Sequence, residues 1–353
     1  MLKSILPIPE NSDFSLENVP FGVFHLETET PAQARCATII GTNVIDLAAM
    51  EAQGCFNGPL MSQTSKIFCV AGLNSFMELP RTHWREVRAT VQKLFAEGSD
   101  FKAAPLTHPE ATCKMLLPCR IGDYTDFYSS KNHAYNVGCI MRGPENALQA
   151  NWTWIPVGYH GRSSSVVISG TDIHRPYGQT IGPDDKEPQL TTSKRCDFEL
   201  EMGVFYGGPS NGLGNRIEIG KAEENLFGMV LLNDWSARDV QKWEYVPLGP
   251  FTAKNQGTVI SPWIVTMDAL EPFRCKIDPQ EPKPLAYLDD PKYGSYDVNL
   301  TVELKVPNGD GPEKIVDSNL KYMYWSMPQQ LTHHAVTGCN MVAGDLLGSG
   351  KFI

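Results

Sequence analysis

The stretch DFELEM, residues 197–202, alternates acidic with apolar side chains, and the interpretation of the chain starts from it. Side chains on a strand alternate between two faces, so we expect Glu199 and Glu201 on one face and the apolar residues on the other. Two carboxylates about 4 Å apart repel by roughly 1 kcal/mol in water, and by roughly 4 kcal/mol at an effective dielectric constant of about 20. The pair therefore either binds a cation or forms a solvated acidic edge, and this run alone leaves both interpretations open.

Composition places the chain among globular proteins. Of its 353 residues 42% are hydrophobic and only 20% are charged, which allows a sizeable core in one or two domains. The net charge of −10 argues against a nucleic-acid partner, which requires a basic surface. No run reaches the roughly 18 uncharged apolar residues of a membrane-spanning helix, so we expect no membrane span.

The cysteines and the N-terminus both indicate a cytoplasmic protein. The nine cysteines are scattered and include no CxxC pair, so neither a disulfide framework nor a zinc knuckle is predicted. Pro7 and Pro9 interrupt the apolar run that a signal peptide would need. The reducing cytosol is therefore the expected location.

We predict an α+β protein that is mainly β, with one domain at 1–118 and a second at 119–353. The strands predicted in the first domain are 21–27, 35–40 and 43–47, the last two forming a hairpin. Apolar residues spaced by three and four predict an amphipathic helix over 81–98. A polar stretch with prolines at 105–118 marks the domain boundary.

The second predicted domain consists mainly of short strands separated by glycine and proline. Its predicted strands are 165–169, 198–206, 226–232, 263–267 and 298–305. Helical spacing of apolar residues predicts a helix over 318–336, which Pro328 would bend or split. A long loop rich in proline and aspartate is expected at 278–296.

A second polar cluster, DYTDFYSSKNH, lies at residues 123–133. In an extended chain Asp126 and Tyr128 share a face. Ser129 or Ser130 is suited to cap a short helix that carries His133. A lone histidine is more often structural than catalytic, but these neighbours favour a catalytic role.

A third cluster follows an apolar strand that ends at Asp234. The spacing of Ser236 to Asp239 is that of a capping box, so we predict a helix from Ser236. Three polar residues then share one helix face: Arg238, Gln241 and Tyr245. Taken in isolation, this pattern favours an ordinary solvated helix face over a functional one. Lys254 and Thr258 follow on the next loop.

If the acidic residues of the three clusters converge, they form a site of four carboxylates. These residues are Asp126, Glu199, Glu201 and Asp234. Oxygen ligands without histidine or cysteine select a hard cation, Ca²⁺ or Mg²⁺. His133 would then act as a general base. Donors for a developing oxyanion would be Arg238, Gln241 and Lys254.

Several long motifs resemble those of the fumarylacetoacetate hydrolase family. They are IGDYTDFYSS (121–130), NWTWIPVGYHGRSSSVVISG (151–170), DFELEM, LLNDWSARDVQKWEYVPLGPF (231–251) and QQLTHH (329–334). The resemblance implies an N-terminal SH3-like barrel, a C-terminal mixed β-roll and a homodimer. It also implies hydrolysis of a carbon–carbon bond in fumarylacetoacetate to fumarate and acetoacetate, the last step of tyrosine and phenylalanine catabolism.

The resemblance further implies a role for individual residues. The Ca²⁺ or Mg²⁺ ligands of the family match Asp126, Glu199, Glu201 and Asp234. A second cation position, where lysine would offer its backbone oxygen, matches Asp234, Lys254 and Thr258. The base that activates water matches His133. The substrate-binding positions match Tyr128, Arg142, Gln241 and Tyr245. The charge-stabilising positions match Arg238, Gln241 and Lys254.

The chain departs from the family pattern after Gly350. Family members continue with a threonine that contacts substrate, further strands, and a glutamate that orients the histidine, whereas Lys351 follows here. The β-roll is therefore expected to be incomplete, and loss of the orienting carboxylate would reduce a general-base contribution of about 10²–10⁴-fold. Two alternatives stay open: a truncated chain that only binds metal and dimerises, and a related keto-acid hydrolase or decarboxylase.

Overall fold

The computed structural model describes residues 2–352, except for the side chain of Met141. Its N-terminal portion is built on a five-stranded antiparallel sheet. The strands are β1 (Phe21–Leu26), β2 (Arg35–Ile40), β3 (Asn43–Asp46), β4 (Thr107–Pro109) and β5 (Cys113–Leu116). The helices of this portion are α1 (Leu47–Ala52), α2 (Asn74–Met77) and α3 (Arg81–Phe95).

The five-stranded sheet curls toward closure. Its strand order is β4-β3-β2-β1-β5, so the two edge strands follow each other directly in the chain. Only residues 110–112 join them, and such a link spans at most about 14 Å. A flat sheet would hold its edges roughly 19 Å apart, so the sheet must bend.

The remainder of the described chain is a mixed α/β arrangement with more strand than helix. Its strands are β6 (Tyr124–Phe127), β7 (Gly158–His160), β8 (Val166–Ile168), β9 (Tyr177–Thr180), β10 (Gln189–Thr192), β11 (Cys196–Asp197), β12 (Leu200–Tyr206), β13 (Leu226–Asp234), β14 (Ser236–Ala237), β15 (Thr258–Ile260), β16 (Val265–Thr266), β17 (Arg274–Cys275), β18 (Ser295–Tyr296), β19 (Asn299–Leu304), β20 (Glu313–Asn319) and β21 (Leu346–Gly348). Its helices are α4 (Lys131–Arg142), α5 (Ile219–Ala222), α6 (Arg238–Glu244), α7 (Met267–Leu270) and α8 (Met327–His334).

An eight-stranded mixed sheet organises this part. Its strands follow the order β7-β6-β21-β12-β13-β15-β8, with β16 beside β13. β12 and β13 pair antiparallel along their length, whereas β6 with β21 and β8 with β15 are parallel pairs. The four pairs outside this sheet are β9–β10, β11–β14, β17–β18 and β19–β20.

Two hydrophobic cores lie on this sheet. In the first, Trp84 of α3 packs edge-on against Phe227 of β13, with ring centroids 4.9 Å apart, and so joins the two portions of the chain. In the second, Leu200 and Met202 of β12 pack with Leu331 of α8. Two of the three apolar residues of the DFELEM run are therefore buried as its alternation predicted, and Phe198 is half-buried.

The helix predicted over 318–336 is wrong in its first half. β20 runs to Asn319 because it completes a hairpin with β19. α8 begins only at Met327, and Ser326 caps it. Pro328 lies in the first turn, where its missing N–H costs no helical hydrogen bond. The apolar spacing before it reflects burial in the second core rather than a helix.

The helix start predicted at Ser236 is also wrong. Ser236 belongs to β14, which pairs with β11, and α6 begins at Arg238. The Ser236 hydroxyl donates to the backbone oxygen of Asp234 at 3.0 Å instead of capping the helix. Asp239 accepts a hydrogen bond from the Ser193 hydroxyl at 2.6 Å. The pairing of β14 with β11 therefore overrides the local capping signal.

No helix among residues 2–352 is long and apolar enough to cross a membrane. The nine cysteines are free thiols, and burial raises the pKa of Cys36 to about 12.

Candidate active site

Four buried carboxylates converge on one side of the eight-stranded sheet. Asp126 lies on β6, Glu201 on β12 and Asp234 at the end of β13, while Glu199 immediately precedes β12. One ligand oxygen from each residue lies within 4.8 Å of the others. The structure thus brings together the four acidic residues that the sequence grouped.

The strand order explains why these carboxylates meet. β21 lies between β6 and β12, and its Gly348 pairs with Asp126 on one side and with Gly203 on the other. A Cβ atom on Gly348 would lie 3.0 Å from Asp126 Oδ1 and 3.1 Å from Glu201 Oε2. Glycine therefore leaves the space that the carboxylates fill, and the Gly350 N–H donates to Glu201 Oε2 at 2.9 Å.

The inner pair, Asp126 and Glu201, fits a hard cation. Asp126 Oδ1 and Glu201 Oε1 are buried without a hydrogen-bond partner, an arrangement that is costly for a polar atom. Burial and the neighbouring carboxylates raise the pKa of Asp126 to about 8 and the pKa of Glu201 well above its usual range. A divalent cation between these oxygens would offset the repulsion that opposes their ionisation. Carboxylate oxygens are the ligands that Ca²⁺, Mg²⁺ and Mn²⁺ prefer.

Lys254 lies on the outer side of the cluster. Its ammonium contacts Glu199 and lies 2.6 Å from Asp234 Oδ2, and its side chain is only 7% exposed. Burial lowers the pKa of Lys254, but Asp234 and Glu199 outweigh burial and raise it. Thr258 donates to Asp234 Oδ1 at 2.9 Å. The side-chain ammonium of Lys254 faces these carboxylates. That the backbone oxygen of Lys254 binds a second cation stays a prediction.

Arg238, the first residue of α6, also lies on the outer side. Its Nη2 donates to Glu199 Oε1 at 2.6 Å and to Asp197 Oδ2 at 2.7 Å, and its Nη1 donates to Gln241 Oε1 at 3.0 Å. Burial raises the pKa of Glu199, but Lys254 and Arg238 outweigh burial and lower it. Glu199 is therefore an ionised carboxylate with two cations against it.

His133 stands on α4 beside Tyr128. The hydroxyl of Ser130, rather than Ser129, caps α4 by accepting from the His133 N–H at 3.4 Å. The His133 ring lies edge-on to Tyr128, with centroids 5.5 Å apart, and is 9% exposed. Burial raises the pKa of Tyr128 to about 12, so the phenol stays protonated as a donor.

Two predicted site residues lie further out. The guanidinium of Arg142 donates to the backbone oxygens of Asn146, at 3.0 Å, and Ala147, at 2.6 Å. Tyr245 follows α6 as its C-terminal cap and is half-buried. Within residues 2–352 neither side chain forms a hydrogen bond to the four carboxylates.

Sequence reasoning missed Tyr159. Its hydroxyl donates to Asp126 Oδ2 at 2.7 Å and lies 3.4 Å from Asp234 Oδ2. Loss of water around the hydroxyl raises the pKa of Tyr159 well above its usual range, so it stays a donor. Its position within the motif NWTWIPVGYHGRSSSVVISG was the only signal for it.

Comparisons with known proteins agree with the resemblance seen in the motifs. The model of the family "Fumarylacetoacetase N-terminal" matches residues 17–118, and that of "Fumarylacetoacetate (FAA) hydrolase C-terminal" matches residues 124–352. The chain is 49% identical to fumarylacetoacetase of Dictyostelium discoideum over 358 residues, which cover 99% of this chain and 83% of the relative. It is 48% identical to the human fumarylacetoacetase over 354 residues, covering 98% of this chain and 83% of the relative.

Solved structures show the same fold. A fumarylacetoacetate hydrolase from Exiguobacterium antarcticum matches with a TM-score of 0.54 at 17% identity, covering 94% of this chain and 86% of the other. A maleylpyruvate hydrolase from Sphingobium sp. SYK-6, in complex with manganese(II) and pyruvate, matches with a TM-score of 0.50 at 12% identity, covering 94% and 88% of the two chains.

Proposed function

This chain belongs to the fumarylacetoacetase family, and we propose that it hydrolyses a carbon–carbon bond of fumarylacetoacetate to give fumarate and acetoacetate. The carrying observation is the set of four buried carboxylates with His133, Arg238 and Lys254 around it. The shared identity of about half the residues with named fumarylacetoacetases favours this activity over a chain that only binds metal, and over another keto-acid reaction.

The cation we propose is Ca²⁺ or Mg²⁺. The residues that would hold it are Asp126, Glu199, Glu201 and Asp234. When bound, such a cation polarises the carbonyl oxygens of the substrate as a Lewis acid. A second cation position at Asp234, Lys254 and Thr258 is also part of the proposal.

His133 is the proposed general base. It takes a proton from a water molecule as the water oxygen bonds to the carbonyl carbon of the fumaryl group. Capping by Ser130 holds His133 in the first turn of α4, and Tyr128 packs against the ring. The base therefore sits on a fixed element, as efficient proton transfer requires.

Three donors would stabilise the oxyanion that forms in the attack: Arg238, Gln241 and Lys254. Gln241 Oε1 already accepts from Arg238, so the amide nitrogen of Gln241 is the atom that would donate to the oxyanion. Donors held in place before the reaction pay no reorganisation cost, and removal of one donor typically lowers kcat by about 10²–10³-fold.

The carbon–carbon bond then breaks, and its electron pair leaves with acetoacetate as an enolate. The enolate carbon takes a proton back from His133, which restores the base. Tyr128, Gln241 and Tyr245 would position the diketone. Arg142 would bind a substrate carboxylate after its guanidinium turns from its two backbone partners.

Loss of the diketone absorbance of fumarylacetoacetate tests the proposed function. We expect turnover in the presence of Ca²⁺ or Mg²⁺, and a decrease in kcat of about 10²–10⁴-fold in His133→Asn. His108→Asn, which changes a histidine of the N-terminal sheet, is the matched control and should keep wild-type turnover. Equal rates for the two variants would refute His133 as the base, and no turnover by the wild type would refute the proposed function.

We extend the proposal to organisation and location. The five-stranded sheet would be the SH3-like barrel of a domain at 1–118, followed by the β-roll domain at 119–353. Free cysteines support a cytoplasmic location. The loop after α6 exposes apolar side chains that support a homodimer: Val246 at 66%, Leu248 at 95% and Phe251 at 69%. Sedimentation of wild type and Leu248→Asp would test the dimer, which the substitution should dissociate.

A further inference from the structure

Asp197 touches the site, although no step of the proposed reaction uses it. Its Oδ2 accepts hydrogen bonds from Arg238 Nε at 2.9 Å, from Arg238 Nη2 at 2.7 Å and from Lys351 Nζ at 3.0 Å. The same Nη2 lies 2.6 Å from Glu199 Oε1. One guanidinium is therefore shared between Asp197 and Glu199.

This sharing matters because both oxygens of Glu199 already face cations. Oε1 accepts from Arg238 and Oε2 accepts from Lys254. Each of these contacts offsets part of the negative charge that a bound metal ion would otherwise find on Glu199. The affinity of the four carboxylates for a cation therefore depends on how strongly Arg238 is held by Glu199.

The backbone fixes Asp197 beside Arg238. β11 pairs with β14 so that Asp197 lies opposite Ser236, and the Arg238 N–H donates to the backbone oxygen of Arg195 at 2.9 Å. The Lys351 ammonium also lies 5.1 Å from the ring centroid of Phe198. Asp197 is thus held by a strand pairing and by a second cation, unlike a mobile surface ion pair.

The charges along this line alternate in sign. In the order of their contacts the charged residues are Lys351, Asp197, Arg238, Glu199, Lys254 and Asp234. We propose that Asp197 is a positioning residue that draws the Arg238 guanidinium away from Glu199 and so sets the affinity of the four carboxylates for their cation. This inference rests on the cation site of the proposed function, but not on the identity of the substrate.

Calorimetric titration of the full chain with Mn²⁺ alone as the probe metal tests the proposal. Asp197→Asn should raise the Kd of Mn²⁺ by about 10-fold, the lower end of the range for loss of a residue that supports a metal ligand. Asp197→Glu should restore most of the affinity. Asp268→Asn is the matched control, since Asp268 also accepts from arginines, at 2.6 Å from Arg81 and 3.0 Å from Arg85, but lies outside the cluster. It should leave the Kd unchanged.

The same titration in an Arg238→Met background separates two effects of Asp197. Asp197 can act by positioning Arg238, or its own charge can act directly on the bound Mn²⁺. If Asp197 acts through Arg238, Asp197→Asn should change the Kd by less than about twofold in that background. A 10-fold change in both backgrounds, or no change in the wild-type background, would overturn the proposal. A wild-type chain that binds no Mn²⁺ would overturn it as well.

Lys351→Met supplies a second variant that removes no carboxylate. Asp197 would then bind Arg238 alone, so the Kd of Mn²⁺ should fall by about threefold when Arg238 is present and stay constant when it is absent. Weaker Mn²⁺ binding by Lys351→Met in the chain that keeps Arg238 would contradict the proposal. If these shifts occur but fumarylacetoacetate is not hydrolysed, only the proposed function fails.

Discussion

The carboxylate cluster has an inner half, Asp126 and Glu201, and an outer half, Glu199 and Asp234. The two halves differ in how their charge is balanced. In the inner half, burial and like charges raise the pKa of Asp126 to about 8 and raise the pKa of Glu201. In the outer half Lys254 and Arg238 outweigh burial and lower the pKa of Glu199. Glu199, which has two cations against it, thus behaves oppositely to the equally buried Asp126 and Glu201. Asp234 shares only Lys254, and there burial outweighs the cation and the pKa of Asp234 stays raised.

The difference assigns a different task to each half. In the outer half the side chains of Lys254 and Arg238 offset the charge of the carboxylates. These two cationic side chains are therefore already in place before a reaction begins. In the inner half Asp126 Oδ1 and Glu201 Oε1 have no hydrogen-bond partner, so this half is suited to bind a cation from solution. Variants that affect one half and spare the other test this division.

The largest expected effect is on stability, from Glu199→Gln. Removal of this charge leaves Lys254 and Arg238 without a shared partner, which should lower the free energy of unfolding by about 3–5 kcal/mol. Urea denaturation in EDTA measures it, with Glu201→Gln as the matched control. Glu201→Gln should change the free energy of unfolding by less than about 1 kcal/mol, because the inner carboxyl has no cation to lose. Similar losses in the two variants would erase the distinction between the halves.

Lys254→Met should damage catalysis more than cation binding. Loss of this proposed oxyanion donor is expected to lower kcat by about 10²–10³-fold. The Kd of Mn²⁺ should not rise, since the substitution removes a positive charge from the cluster. Steady-state kinetics and calorimetry check the two values. Weaker Mn²⁺ binding would instead show that the Lys254 ammonium holds Glu199 and Asp234 in place for the cation.

Glu201→Gln should have the reverse effect, on the cation alone. We expect the Kd of Mn²⁺ to rise by at least about 100-fold, since a ligand rather than its supporting partner is lost. Thermal unfolding without metal should stay within a few degrees of wild type. Unchanged Mn²⁺ affinity would remove Glu201 from the cation site.

Tyr159→Phe should have the smallest effect. It removes the hydrogen bond that the Tyr159 hydroxyl donates to Asp126, and one protein hydrogen bond typically contributes about 0.5–1.5 kcal/mol. We therefore expect Mn²⁺ binding to change by no more than about 10-fold. A loss as large as that of Glu201→Gln would show that Tyr159 orients the inner half as a whole.

Sequence reasoning reached the parts of this site that depend on local periodicity. Alternation in DFELEM predicted the buried faces of Leu200 and Met202 and the shared face of Glu199 and Glu201. The three polar clusters suggested the grouping of these glutamates with Asp126 and Asp234, and the family resemblance strengthened that hypothesis.

Contacts that depend on long-range strand pairing were not predictable from local pattern. Tyr159 reaches Asp126 because β7 pairs with β6, and Asp197 reaches Arg238 because β11 pairs with β14. The same limitation explains the wrong helix start at Ser236. A capping signal is local, whereas the competing strand pairing joins residues about 40 positions apart.

Removal and restoration of the cation tests the central claim most directly. Hydrolysis of fumarylacetoacetate is followed on wild-type protein after dialysis against EDTA, with metal content measured, and again after Ca²⁺ or Mg²⁺ is added. The division of the site predicts that turnover falls by at least about 100-fold without metal and returns with it. Full turnover by protein shown to be free of metal would contradict it.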